Sequence, residues 1–227
     1  MLRVPGAEPV KTRLHPLLGA GAATLLYRCL VLDTLEAAAR VPGATAVAAF
    51  SPPTAERAMA SLAPAGMRCL AQRGDDLGAR MGNLVDDLLA AGHAAVLVMG
   101  SDLPALPVAY LGEAARALTT GGADVVLGPA EDGGYYLIGL TRPAPELFRG
   151  IAWSTAEVLE ATRARADALG LRVRLLPPWA DLDMPADLVR LRRRLLADGE
   201  PRAAGGPAWR TRRWMAAFPE RSATPVR

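Results

Sequence analysis

The chain has two cysteines and one lysine in its 227 residues, and it lacks any apolar run near the length needed to cross a bilayer. Cys29 and Cys69 stand far apart, in segments that read as a helix and a strand. Their placement gives neither the spacing of a metal site nor a disulfide framework, so both are expected to be buried thiols. The start shows no secretion-signal pattern, and with no spanning segment the expectation is a soluble, cytoplasmic protein without a membrane partner. No internal repeat is visible, and the length suits one sizeable α/β domain rather than two.

The shortage of lysine is informative because positive charge is otherwise written as arginine. Lys11, in Val10-Lys11-Thr12-Arg13-Leu14, is the exception. A compact ammonium suits a phosphate oxygen in a tight loop, where the planar guanidinium is too large. The formal charge is +3, but residues 200–227 carry six arginines against two glutamates, which leaves the rest of the chain slightly acidic. Binding along a phosphate backbone needs a basic face on the folded body, so this distribution argues against nucleic acid as the main ligand.

What is present is an alternation of helical and strand-like segments. Periodicity predicts helices over 20–40, 53–62, 76–92, 107–121, 184–197 and from a Ser154-Thr155 cap to Leu169. Strands are predicted over 44–50, 67–72, 94–100, 124–128, 135–140 and 173–176. The alternation implies a doubly wound, mainly parallel sheet with helices on both faces. Its first strand is expected to be truncated, since only Met1–Val4 precede Pro5-Gly6. From Pro201 onward, glycines, clustered arginines, Trp209 and Trp214 break every periodicity. The expected organisation is therefore one α/β domain over 1–198 and a flexible basic tail over 199–227.

Two acidic loops carry the chemical signal. The apolar run from Ala95 stops abruptly at Gly100-Ser101-Asp102, and ligands of open α/β sheets sit beyond the carboxyl ends of the strands. Asp102 is thus placed to hold a hard cation, Mg2+ or Mn2+, with Asp132 or Asp183 as candidate second carboxylate. The second loop is Ala130-Glu131-Asp132-Gly133-Gly134-Tyr135. Here Glu131 or Asp132 is a candidate base or orienter of a substrate, and Gly133, Gly134 and Tyr135 form a candidate substrate loop. Pro5–Leu14 has the logic of an anion cradle, with Lys11 and Arg13, but not the spacing of a Walker loop or a dinucleotide fingerprint. In Gln72–Met81, Gly74 makes a turn and Asp75 is placed to cap the helix that Asp76 opens, with Arg80 one turn in. Lys11, Arg13, Asp76, Arg80 and Ser101 make the candidate phosphate-contacting set. Asp102, Glu131 and Asp132 make the catalytic set, and Asp102 and Asp183 the metal set.

Val10–Leu14, Gly74–Met81, Gly100–Pro104, Leu127–Leu140, Trp153-Ser154-Thr155 and Asp181–Leu188 occur in the same order in a bacterial group that this chain resembles over about residues 1–198. That group is known as radical-SAM/selenodomain-associated transferases, or arsenosugar-biosynthesis glycosyltransferases. The resemblance implies the nucleotide-diphospho-sugar transferase superfamily and its A-type glycosyltransferase fold, which also includes guanylyltransferases of cofactor synthesis. It places a nucleotide over the N-terminal half, with Lys11 and Arg13 near its phosphates and Asp102 at the metal, where the superfamily usually has an Asp-x-Asp motif. It also makes residues 1–198 a glycosyltransferase-like nucleotide-binding domain and the phosphate-contacting set nucleotide-binding. The chain departs from the pattern in its short first strand and in Gly6-Ala7-Glu8-Pro9 before Val10-Lys11. The expected activity is metal-dependent transfer of a sugar from a nucleotide-sugar to a small-molecule acceptor. The alternatives are nucleotidyl transfer from a nucleoside triphosphate with release of pyrophosphate, and non-catalytic nucleotide binding.

Overall fold

Val125, Leu127 and Ile138 pack on one side of a sheet, and Val126 and Leu137 on the other, as period-two strands covered on both faces must. The computed structural model describes residues 1–197 and 206–218. Strands β1 (Leu2–Arg3), β2 (Val47–Ser51) and β3 (Arg68–Ala71) form a parallel sheet in that order, with Leu2 opposite Phe50 and Val47 opposite Arg68. Strands β4 (Val96–Met99), β5 (Val125–Pro129), β6 (Tyr135–Leu140) and β7 (Val173–Leu175) form a second sheet in the order β4-β6-β5-β7. β5 and β7 are parallel, whereas β6 runs antiparallel to both its neighbours. That reversal is forced by the short 130–134 turn, since a connection so brief can join only antiparallel strands.

The two sheets meet where the Met1 ammonium donates to the Met99 carbonyl at 2.6 Å. β1 is the two-residue stub the sequence led us to expect. It is held from β2 and β3 as well, because Gln72 donates through Nε2 to the carbonyls of Leu2 and Ala49.

The helices are α1 (His15–Leu18), α2 (Ala20–Ala39), α3 (Glu56–Leu62), α4 (Leu77–Ala90), α5 (Val108–Thr119), α6 (Val158–Ala168), α7 (Pro185–Leu196) and α8 (Trp209–Ala217). α2 buries Ala23, Leu26, Tyr27, Leu30 and Val31, the three-and-four spacing of one helix face, while Leu25 is left exposed. Its stripe packs with Phe50, Met59, Leu191 and Met215, so α2, α3, α7 and α8 share one core with the first sheet. α4 and α6 supply Met81, Val85 and Ala166 to one face of the second sheet, and α5 supplies Leu111 and Ala114 to the other. No helix among the described residues is long and apolar enough to cross a membrane.

Three expectations are corrected. α8 replaces the flexible tail over 206–218: Thr211 and Met215 are buried four residues apart, and the Asp33 carboxylate accepts hydrogen bonds from the Thr211 amide (2.9 Å) and hydroxyl (2.7 Å). Arg210 adds contacts to Asp33 and Glu36, and Arg192 donates to the carbonyls of Met215 and Phe218. A stripe only two positions long does not stand out as periodicity; the remainder of the expected tail lies outside the described residues. Ser154-Thr155 does not cap α6, which starts at Val158, because the Thr155 hydroxyl donates backward to the Ala152 carbonyl. Cys29 and Cys69 are unpaired, but half-buried rather than buried.

Candidate active site

The carboxyl ends of β1 and β4 open into a cleft of about 750 Å3, a size that suits a small ligand. Asp102 enters it as the chain leaves β4, and the Asp102 carbonyl accepts from the Leu182 amide at 3.2 Å. That bond brings the extended segment Asp181-Leu182-Asp183 alongside. Leu182 is fully buried, and side chains alternate along extended backbone, so Asp181 and Asp183 fall together on the cleft side. One oxygen from each of Asp102, Asp181 and Asp183 lies within 4.8 Å of the others.

Lys11 closes the cluster. Its backbone takes the left-handed conformation (φ 49°), unusual for a residue with a side chain, just before a 3-10 turn over Thr12–Leu14. The side chain is 4% exposed, and its ammonium reaches Asp102 Oδ2 at 2.7 Å and Asp183 Oδ1 at 2.8 Å. Arg13, on the same turn, reaches the other Asp183 oxygen at 2.8 Å. Burial pulls the Lys11 ammonium down, but Asp102 and Asp183 outweigh it and hold the group above its ordinary range. Asp181 has the opposite problem. Burial, and then the charges of Asp102, Asp132 and Asp183, push its carboxyl up to about 6 against the pull of Lys11.

The other candidates separate into those at the cleft and those outside it. Asp76 and Arg80 line the cleft. Asp76 is itself the cap of α4, accepting from the Ala79 amide at 2.7 Å, so the capping expected of Asp75 falls one residue later. Arg80 is tethered through Nε to the Gly74 carbonyl at 3.0 Å. Asp132 lines the cleft and accepts from the Gly134 amide at 3.0 Å, which shapes the glycine turn. Glu131 does not line it; its carboxylate turns to Arg190 of α7 at 2.6 Å. Gly134 and Tyr135 line the cleft, whereas Gly133 (φ +90°) packs so closely on the backbone of Ala156 that a Cβ would collide with it. Tyr135 stacks edge-on to Trp153, ring centroids 6.4 Å apart. Ser101 is buried with its hydroxyl bound to Tyr27 Oη at 2.8 Å.

Sequence reasoning passed over two of these residues. Asp181 was visible as half of an Asp-x-Asp pair on extended chain, a spacing that sets two carboxylates on one side. Tyr27 was hidden in the apolar stripe of α2. Its hydroxyl accepts from the Arg3 amide at 3.1 Å and bonds Ser101, so it fastens β1 to the loop that presents Asp102.

A family model described as an uncharacterized protein conserved in bacteria (DUF2064) matches residues 34–155. Among solved structures the chain is similar to a protein from Desulfovibrio desulfuricans G20, provisionally named a nucleotide-diphospho-sugar transferase. That likeness has 33% identity and a TM-score of 0.84, and covers 95% of this chain and 91% of the other. In fold alone it is similar to a CMP:2-keto-3-deoxy-manno-octonic acid synthetase complexed with CTP, with 14% identity, a TM-score of 0.55, and coverage of 87% of this chain and 96% of the other. No curated protein matches the chain. Matched over more than half its length by that family model, the chain belongs to the DUF2064 family and carries the fold of a nucleotide-diphospho-sugar transferase.

Proposed function

We propose that the protein is a divalent-cation-dependent glycosyltransferase that moves a sugar from a nucleotide-sugar to a small-molecule acceptor. The observation that carries this reading is the convergence of Lys11 and Arg13 with Asp102, Asp181 and Asp183 at one end of a ligand-sized cleft. The 33% identical relative named for nucleotide-diphospho-sugar transfer supports it. So does the order of motifs shared with the arsenosugar-biosynthesis group, which remains the narrower proposal for kinship.

The donor set fits Mg2+ or Mn2+, because three clustered carboxylates offer only hard oxygens. Asp102 and Asp183 would hold the ion, with Asp181 beside them, and the bound cation would offset charge on the departing diphosphate. Lys11 and Arg13 bind the same phosphates and stabilise the developing charge on the bridging oxygen. Arg80 and the Asp76-capped start of α4 flank the nucleotide. The bond from the anomeric carbon to phosphate breaks, one to the acceptor oxygen forms, and Asp132 orients the acceptor and takes its proton. Ser101 acts through Tyr27, keeping the Asp102 loop in register with β1. Glu131, paired to Arg190, steadies the glycine turn from outside.

The test is the leaving group. Incubation with Mg2+, a panel of nucleotide-sugars and small acceptors should release nucleoside diphosphate. Release of pyrophosphate from a nucleoside triphosphate would reassign the site to nucleotidyl transfer, and nucleotide binding without turnover of either kind would make it a binding protein.

A further inference from the structure

Both oxygens of Asp183 already have cationic partners, Lys11 on Oδ1 and Arg13 on Oδ2, and Lys11 also holds Asp102 Oδ2. The Lys11 ammonium therefore sits between the two carboxylates assigned to the cation, and its side chain is 4% exposed. We infer that Lys11 is a built-in stand-in for the metal: it keeps a bare ion off Asp102 and Asp183 and yields only when a diphosphate arrives to receive it. The inference rests on the metal-dependent reading of the site and adds an order of binding to it.

The physical reasoning is a competition for the same oxygens. A divalent ion on Asp102 and Asp183 would stand beside an ammonium and a guanidinium already touching those atoms, and like charges at that range repel in a partly buried place. Arg13 is exposed at its side chain and can swing into solvent, whereas Lys11 is enclosed and needs a new anionic partner before it leaves. A diphosphate provides that partner. The flexible four-carbon stem lets the ammonium move by bond rotation without shifting the turn. The ammonium thus passes from carboxylate to phosphate oxygen as the cation takes its place, and no covalent bond changes. Metal and diphosphate should then bind cooperatively through Lys11.

The experiment measures Mn2+ binding by electron paramagnetic resonance, with and without inorganic pyrophosphate, for wild type and Lys11→Met. Wild type should bind Mn2+ alone weakly and gain tenfold or more in affinity with pyrophosphate. Lys11→Met should bind Mn2+ alone at least tenfold more tightly than wild type and gain less from pyrophosphate than wild type does. Mn2+ affinity for Lys11→Met equal to or below that of wild type would overturn the stand-in role while leaving the metal site intact. Failure of both proteins to bind Mn2+ even with pyrophosphate would remove the metal-dependent reading, and this inference with it. A second measurement needs no variant. Lys11 is the only lysine of the chain, so 13Cε-lysine labelling gives a single resonance to follow. It should move little with Mg2+ alone and shift clearly with Mg2+ plus pyrophosphate; an unchanged resonance in both would contradict the exchange.

Discussion

The part of the molecule built on β1–β3 and the part built on β4–β7 send opposite charges into the same cleft. From the first come Lys11 and Arg13; from the second, and the chain that follows it, come Asp102, Asp132, Asp181 and Asp183, while Asp76 and Arg80 enter together from α4, which packs on the second sheet. The first part has a two-residue edge strand and borrows order from its neighbours, through Tyr27, Gln72 and the Met1 ammonium. The second has longer strands with both faces covered. The acids are thus set by the second sheet and by the segment that Leu182 docks beside Asp102, while Lys11 and Arg13 come from a 3-10 turn that follows a two-residue edge strand.

The largest expected effect tests whether the first part depends on what is packed behind it. Truncation after Asp198 removes α8 and leaves the Asp33 carboxylate, 8% exposed, without its Thr211 and Arg210 partners. Losing the packing of Met215 and the hydrogen bonds to Asp33 costs about 4 kcal/mol, which thermal denaturation should report as a fall in Tm of roughly 10 °C. Turnover at low temperature should stay within about twofold, because α8 contacts α2 and α7 rather than the cleft. An unchanged Tm would mean that α8 contributes nothing to the fold.

Next is Asp102→Asn, which keeps size and removes charge. Its activity should fall by about a hundredfold or more, on the order of 3 kcal/mol of transition-state stabilisation, with little change in Tm. A loss of stability in proportion to activity would show instead that Asp102 serves mainly to hold Lys11. Smaller again is the contrast between adjacent glycines. Gly133→Ala forces a side chain into positive φ and onto the backbone of Ala156, and should cost about 2 kcal/mol or more. Gly134→Ala meets only the mobile end of Asp132 and should cost under ~1 kcal/mol by the same denaturation measurement. Equal losses would mean that the turn is not fixed by its contact with the start of α6. The smallest effect is that of Glu131→Gln: the Arg190 pair is exposed and worth under ~1 kcal/mol, so kcat should remain within about twofold. A hundredfold loss would return Glu131 to the catalytic set.

The strands of the second sheet were legible because buried parallel and hairpin strands must be apolar on both faces, and the abrupt stop at Gly100-Ser101-Asp102 marks where such a strand reaches its ligand edge. Lys11 was legible through its rarity. Asp181 was not singled out, because its spacing from Asp183 puts two carboxylates on one side only where the chain is extended, and the fold is what anchors Leu182 inward and turns that side to the cleft. Tyr27 could not be told from a core residue, since its ring belongs to an apolar stripe and only its hydroxyl does something different. Glu131 and Asp132 are adjacent in sequence and indistinguishable by composition. The antiparallel reversal at β6 and the partner offered by α7 are what separate them in space.

On the proposed function, this cleft holds a nucleotide-linked sugar through its phosphates with the help of a divalent cation. Titration calorimetry of the wild-type protein against a panel of nucleotide-sugars, run in Mg2+ and again in EDTA, tests it most directly. Binding of at least one nucleotide-sugar in Mg2+, weakened tenfold or more in EDTA and in Asp102→Asn, is the predicted result. Equal affinity in Mg2+ and EDTA, or binding of no nucleotide-sugar in either, would contradict it.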